Sequence, residues 1–281
     1  MTTIFISLIL INSIVSILSE IDTQEIPDNF DVRNKWPNCV SKLYDQGSCG
    51  ACYAFSAAAA FSMRFCIKNN LAEMINFSPQ NLVNCLSGCK GEFPDIVWDY
   101  MNEFGITTDE CISYKNSQKS CSLNCDHKTN KFIKYHSGNT VFLEDETSIK
   151  REIMTNGPVT SMLYIYSDYY DYQSGIYSHK KGDSIIGFHS ITIIGWGVEN
   201  DEKYWLIQDS YGTTKGENGY MKIKIGDECG AGATAYCDEM EGKYEEEIIS
   251  NIKYNSPNGN KNRSILNSYN PYLLFILLFL F

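Results

Sequence analysis

A cysteine that could act as a nucleophile stands at Cys52, where a loop passes into a helix. The segment from Gln46 reads Gln-Gly-Ser-Cys-Gly-Ala-Cys, and an alanine-rich run follows it to about Asn69. Glycines suit a loop and alanines favour a helix, so Cys52 is predicted in the first helical turn. The positive end of the helix dipole favours a thiolate there.

A thiolate nucleophile needs an imidazole that accepts its proton and a group that orients the imidazole. The chain has four histidines. His127, His136 and His179 lie in polar stretches typical of surface histidines. His189 opens the apolar run 189–196, where a solvated side chain is unexpected. It is either the partner of the thiol or a buried structural histidine.

A predicted hairpin supplies the orienting group. The β-type runs 190–196 and 204–208 are joined by the polar residues 198–203, a pattern that favours two paired strands. Pairing the runs through a turn at Asn200 and Asp201 places His189 near residue 212. Asp209 therefore emerges at the same end of the hairpin and could accept the imidazole N–H.

Composition limits the classes of function. The chain has 281 residues, 43% of them hydrophobic, which is enough for one or two domains with a sizeable core. Its net charge is −11 and it contains no basic cluster, which excludes nucleic acid as a partner. Eleven cysteines in a chain with an apolar leader predict five disulfides and one free thiol, with Cys52 as the candidate.

Both ends of the chain carry apolar segments. Residues 1–19 are typical of a secretory signal peptide, with a retained membrane anchor as the alternative. Residues 246–281 are predicted to form a polar stalk and a hydrophobic tail. The tail, 273–281, is too short to span a bilayer and fits a GPI-attachment signal, a short membrane-dipping tail or a segment without function. The expected location is the secretory route: a lysosome-like vesicle, the cell surface or the extracellular space.

These motifs resemble the papain family of cysteine peptidases, and most closely its cathepsin B branch. The family's cysteine signature is met by residues 49–53, Cys-Gly-Ala-Cys-Tyr, with His189 at the expected distance. Further matches are Ile-Pro-Asp-Asn-Phe-Asp-Val-Arg at 26–33, Asn-Gly-Pro-Val at 156–159 and Gly-Glu-Asn-Gly-Tyr at 216–220.

The resemblance implies an α+β, two-lobed fold with the active site in the cleft between the lobes. The peptidase domain would span residues 26–245, after a very short pre-segment at 20–25. Its helical lobe would cover about residues 40–135, and its antiparallel, barrel-like β lobe about residues 136–245.

The resemblance also implies a cysteine-type endopeptidase that cleaves polypeptides through a thioester on Cys52. His189 would be the general base and acid, and the Gln46 side chain would share the oxyanion hole with the Cys52 N–H. Asp209 stands where the family has asparagine. The segment 111–125 is short and lacks paired histidines, which argues against dipeptidyl carboxypeptidase activity. No cofactor or metal is expected, and the protein is predicted to be a monomer.

Several groove positions differ from the family pattern. The glycine pair that binds the substrate backbone appears as Gly91 and Glu92. Tyr211 replaces a tryptophan that shields the imidazole, and Lys215 replaces a second tryptophan, so poorer shielding is expected. Thr234 falls where cathepsin B has an acidic residue, which predicts an apolar side chain at the substrate's P2 position.

The cysteines can be paired on the same basis. The resemblance implies four disulfides: Cys39–Cys66, Cys49–Cys89, Cys85–Cys121 and Cys111–Cys125. A fifth, Cys229–Cys237, is our own addition, and it leaves Cys52 as the single free thiol.

Two other functions stay open. Cys49 and Cys52 have the spacing of a thioredoxin-like dithiol. The unusual residues Glu92, Asp209 and Tyr211 also fit a homologue of reduced or lost activity that serves as a surface binding protein.

Overall fold

The computed structural model describes residues 25–127, 131–179, 184–239 and 246–248. The predicted leader and the hydrophobic tail lie outside these residues. Five α-helices occur in the described part of the chain: α1 Val32–Lys35, α2 Cys52–Asn69, α3 Pro79–Cys85, α4 Pro94–Phe104 and α5 Glu146–Asn156. Short 3-10 helices cover Pro37–Cys39 and Ser167–Asp171.

The helix that carries the cysteine begins at Cys52 and ends at Asn69, as the sequence predicted. Its alanines are buried because α2 contacts hydrophobic groups on two sides. Ala54 and Ala58 pack into a core made by helices, whereas Ala59 and Met63 pack into a core made by the sheet. Small side chains therefore let this helix lie between two cores.

Local capping fixes the ends of two other helices. Ser78 accepts a hydrogen bond from the Asn81 N–H at 2.9 Å and caps α3. Asp145 accepts one from the Ser148 N–H at 2.9 Å, so α5 begins at Glu146. A capping side chain satisfies an N–H group that has no partner within the helix.

Ten strands lie in the described residues: β1 Phe30–Asp31, β2 Ile133–Tyr135, β3 Thr140–Leu143, β4 Val159–Ile165, β5 Ile176–Tyr177, β6 Gly187–Glu199, β7 Glu202–Gln208, β8 Tyr220–Lys224, β9 Ala235–Asp238 and β10 Glu246–Ile248. The main sheet has the order β3-β9-β4-β6-β7-β8-β5, and β1 pairs with β6. All pairs are antiparallel except β5 with β8.

The β6–β7 hairpin forms as predicted. Asn200 and Asp201 have φ angles of +51° and +63°, the left-handed conformation that a tight hairpin turn requires. The ladder runs from Glu199 opposite Glu202 to Thr192 opposite Gln208. His189 and Asp209 therefore both lie just beyond the same end of the ladder.

The sheet and the helices build separate hydrophobic cores. Tyr53, Phe61 and Trp98 belong to the helical core, whereas Trp196 and Trp205 belong to the core of the sheet. This arrangement agrees with the predicted α+β, two-lobed fold. All the described residues belong to one compact unit. Within those residues, none of the helices has the length and apolar character needed to cross a bilayer.

The strand β10 pairs with β2, with Glu246 opposite Tyr135 and Ile248 opposite Ile133. The composition of the chain from residue 246 predicts a polar stalk for these three residues. They instead form an edge of a two-stranded sheet.

Four disulfides join the chain as the resemblance implied: Cys39–Cys66, Cys49–Cys89, Cys85–Cys121 and Cys111–Cys125. The predicted Cys229–Cys237 bridge is wrong, and both thiols are free and buried. The Cys229 carbonyl accepts a hydrogen bond from the Tyr164 N–H, whereas Tyr236 pairs with Thr160. Thr160 and Tyr164 are four residues apart on β4, which corresponds to about 13 Å along the strand. A disulfide joins cysteines whose Cα atoms are at most roughly 7 Å apart.

Candidate active site

The thiol of Cys52 and the imidazole of His189 meet between α2 and β6. Cys52 is half-buried, and the side chain of His189 is the partner that most lowers the pKa of its thiol. Burial raises the pKa of the Cys52 thiol, whereas His189 lowers it through hydrogen bonding and charge. The N–H groups of Ser190 and Tyr53 act in the same direction, so the net pKa lies below that of an ordinary cysteine. The site therefore favours a thiolate.

Asp209 orients the imidazole from the opposite side. The Nε2 atom of His189 lies 2.7 Å from Oδ1 of Asp209. With Nε2–H donating to the carboxylate, Nδ1 is the ring nitrogen that faces Cys52. Burial lowers the pKa of His189, but the charge of Asp209 and the hydrogen bond to it dominate and raise the pKa from 6.5 to about 10. A charged imidazole is thus held beside the thiol.

Asp209 is only 5% exposed, and its carboxylate accepts hydrogen bonds from three donors. Besides His189, the Ser210 N–H donates to Oδ1 at 2.7 Å, and the Tyr169 hydroxyl donates to Oδ2 at 2.9 Å. Burial raises the pKa of Asp209, but the charge of His189 and these hydrogen bonds outweigh it and lower the pKa overall. The group therefore stays a carboxylate.

The expectation of poorer shielding is wrong. His189 is 2% exposed, because the ring of Tyr211 stacks on it with 5.0 Å between ring centroids and 14° between planes. Tyr170 packs against Tyr211, and the Lys215 ammonium group donates a hydrogen bond to the Tyr170 carbonyl. Tyr211 therefore covers the imidazole, and Tyr170 supports Tyr211 from behind.

Gln46 lies in the loop before α2 and is 6% exposed. Its Oε1 accepts a hydrogen bond from the Ser210 hydroxyl, and its Nε2 donates to the Cys49 carbonyl at 3.0 Å. The Gln46 N–H also donates to the Ser210 carbonyl at 2.8 Å. These contacts fix the amide so that its NH₂ group, and not its oxygen, is on the side of the cysteine loop.

The Gly91–Glu92 segment is attached to the same loop. The Gly91 N–H donates to the Gly50 carbonyl at 3.1 Å, next to the Cys49–Cys89 disulfide. A side chain at residue 50 would meet the Cys89 carbonyl oxygen at 2.7 Å, so this approach requires glycine. Gly91 has a φ angle of +84° and open space around it, and Glu92 is half-buried. The structure thus brings Gly91 and Glu92 to the cysteine loop.

Thr234 lies on the sheet side, immediately before β9. Its carbonyl accepts a hydrogen bond from the Ser161 hydroxyl at 2.6 Å, and Ser161 is opposite Ile191 on β6. Thr234 is therefore one strand away from the segment that carries His189.

The hairpin places Ser210 with Asp209 at the same end of the strands, but the sequence assigns it no role. One further neighbour of the site, Tyr169, is missed by the sequence analysis. Tyr169 comes from a tyrosine-rich stretch far along the chain, and no spacing rule indicates which of its rings reaches Asp209. No cluster of three or more His, Cys, Asp or Glu side chains that could hold a metal ion occurs among the residues with described positions.

A thiol beside a buried imidazole, which is hydrogen-bonded in turn to a carboxylate, places this α+β protein in the class of thiol hydrolases. Comparison with known proteins gives the family. The model of the papain family cysteine proteases matches residues 26–238. The chain belongs to the papain family of cysteine proteases.

Individual relatives agree with this assignment. A cathepsin B-like CP3 of Giardia intestinalis is 33% identical over 220 residues, covering 75% of this chain and 73% of that protein. A cathepsin B-like cysteine proteinase 4 of Caenorhabditis elegans is 34% identical over 251 residues, covering 75% and 74%. Among solved structures, procathepsin B S9 of Trypanosoma congolense matches with a TM-score of 0.74 at 31% identity, covering 80% of each chain.

Proposed function

We propose that this protein is an active cysteine-type endopeptidase. The observation that carries the proposal is the placement of the Cys52 thiol beside the His189 imidazole, whose Nε2 lies 2.7 Å from Oδ1 of Asp209. The lowered pKa of Cys52 and the raised pKa of His189 favour a thiolate–imidazolium pair. Such a pair is the reactive form of a thiol nucleophile.

In the proposed reaction the Cys52 thiolate attacks the carbonyl carbon of the scissile peptide bond. The negative charge that develops on the carbonyl oxygen is stabilised by the Gln46 side-chain NH₂ and the Cys52 backbone N–H. When the C–N bond breaks, the imidazolium of His189 gives its proton to the leaving amine. A thioester remains on Cys52, and His189 then takes a proton from the water that hydrolyses it.

Substrate contacts are proposed from the residues that border the thiol. Gly91 offers backbone groups without a side chain in the way, and Glu92 adds a carboxylate beside the bound peptide. Thr234 contributes no charge on the sheet side, which favours an apolar P2 side chain. Tyr211 covers His189 and is proposed to contact the part of the peptide that leaves.

The dithiol alternative does not fit the structure, because Cys49 is bonded to Cys89 with 4.7 Å between their Cα atoms. A surface binding protein without activity remains the other candidate and is an outcome of the test below. We further propose a monomer that enters the secretory route through the signal at 1–19, with membrane attachment through the C-terminal tail and a peptidase domain at 26–245.

The test is hydrolysis of a panel of internally quenched peptides at acidic pH. We expect the wild-type protein to cleave within the peptides, with preference for an apolar P2 residue. Cys52→Ala should abolish cleavage, and Cys237→Ala is the matched control because that buried thiol lies outside the site. A folded wild-type protein that binds these peptides without cleaving them would favour the binding-protein alternative.

A further inference from the structure

The contact of Tyr169 with Asp209 addresses an unusual feature of the site. A carboxylate stands here where related proteases use a neutral amide, and it is almost completely buried. A buried carboxylate oxygen without a hydrogen-bond donor is costly in free energy. A full negative charge beside the imidazole would also raise the imidazole pKa and make the imidazolium a poor proton donor. Oδ1 already accepts hydrogen bonds from His189 and from the Ser210 N–H, so Oδ2 is the oxygen that still needs a donor.

Tyr169 supplies the donor for Oδ2. Its ring is completely buried, and its hydroxyl donates to Oδ2 of Asp209 at 2.9 Å. The ring also packs edge-on against His189 with 5.9 Å between centroids. Burial, followed by the charge of Asp209, raises the pKa of Tyr169 well above its ordinary value, so the hydroxyl keeps its proton and remains a donor.

We infer that Tyr169 is a positioning residue whose hydroxyl holds Oδ2 and draws charge away from the Asp209–His189 pair, so that a carboxylate can replace the amide at this position. The inference rests on the proposed function, since it concerns how the same thiol and imidazole are kept reactive. Tyr169 acts through Asp209 and does not itself touch the thiol.

The sign of the effect follows from the charges. A hydrogen bond to Oδ2 stabilises the state in which the imidazole has lost its proton and the carboxylate charge is uncompensated. Removing the hydroxyl disfavours that state, so the imidazolium should persist to higher pH. Asp209 should stay in place, because its Oδ1 keeps both of its donors.

Other titratable groups near the imidazole and Tyr169 do not compete with this pH effect. Cys52, Asp209 and Tyr211 lie against the imidazole itself, and Tyr169 of the 3-10 helix 167–171 has Cys229 as a further charged neighbour if that thiol ionises. Burial raises the pKa of Tyr211 and Cys229. Both groups are therefore uncharged across the neutral range, and the Asp209 charge is the one that Tyr169 modulates.

The experiment measures the rate of Cys52 alkylation by a neutral haloacetamide against pH, with the adduct located by mass mapping. Tyr169→Phe should raise the upper pH midpoint of this rate by about 0.5–1 unit. In an Asp209→Asn background the same substitution should move the midpoint by less than about 0.2 units, because no carboxylate charge remains. Tyr172→Phe, which removes a hydroxyl bonded to the Gly175 carbonyl, should leave the midpoint unchanged.

The result that overturns the inference is an unchanged or lowered midpoint in Tyr169→Phe, or an equal shift in the Asp209→Asn background. General loss of packing would lower the rate at every pH without this upward shift. Alkylation does not require peptide cleavage, so a protein that shows these shifts but cleaves no peptide would refute the proposed function and leave the inference standing.

Discussion

Replacing Asp209 by asparagine tests the ion pair most sharply. The change keeps an oxygen that can accept the imidazole N–H, but it removes the negative charge at 2.7 Å from Nε2. That charge is the main reason why the His189 pKa rises from 6.5 to about 10. An opposite charge at this range changes a pKa by about 1–3 units. We therefore expect the upper pH midpoint of Cys52 reactivity to fall by at least about one unit.

The same substitution should affect stability in a defined pH window. A raised pKa of His189 stabilises the fold fully below about pH 6.5 and loses that effect as pH rises through about 10. The lowered pKa of Asp209 stabilises the fold above about pH 4 and loses that effect in acid. The stability deficit of Asp209→Asn should therefore be largest between about pH 4 and 6.5 and should shrink toward pH 10.

The assay is alkylation of Cys52 by a neutral haloacetamide from about pH 4 to pH 11, read by mass mapping. Asp168→Asn is the matched control, because Asp168 pairs with a different histidine, His179, at 3.3 Å. That variant should keep the wild-type midpoint. An Asp209→Asn midpoint equal to or above that of the wild type would refute the reasoning that the carboxylate holds the imidazole charged.

Three further outcomes are expected. Arg64→Met should lower stability by about 3–5 kcal/mol in denaturant unfolding, because it leaves the fully buried Asp238 without its partner at 2.7 Å; a loss below about 1 kcal/mol would contradict this. Ser210→Ala should lower kcat by about 10-fold with little change in KM, because the Gln46 amide loses the bond that orients it; a change confined to KM would argue against this role. Unreduced protein in denaturant should titrate with three thiols, since four disulfides leave three cysteines free; a count of one would restore the fifth bridge.

Local patterns were sufficient to predict much of the site. The glycine-to-alanine change before Cys52 marks a loop followed by a helix, and the turn at Asn200 and Asp201 marks a hairpin with defined register. Together they predicted that His189 and Asp209 emerge at one end of the sheet. Nearest-neighbour preferences carry this kind of information because hairpin turns and helix starts depend on adjacent residues.

Contacts between distant segments were beyond such patterns. An odd number of cysteines is compatible with one free thiol or with three. The bridge between Cys229 and Cys237 is excluded only because the two segments that carry them contact β4 at different points. Likewise, substitution of a tryptophan by Tyr211 suggested a more exposed imidazole. The stacking of that ring on His189 depends on packing that no local rule specifies.

Covalent labelling of Cys52 by a peptidyl epoxide at acidic pH tests the central claim most directly. The proposed thiolate–imidazolium pair predicts a single adduct on Cys52, located by mass mapping and absent from Cys52→Ala. The buried thiols of Cys229 and Cys237 should stay unmodified in the folded protein. A folded wild-type protein without an adduct on Cys52 would contradict the account.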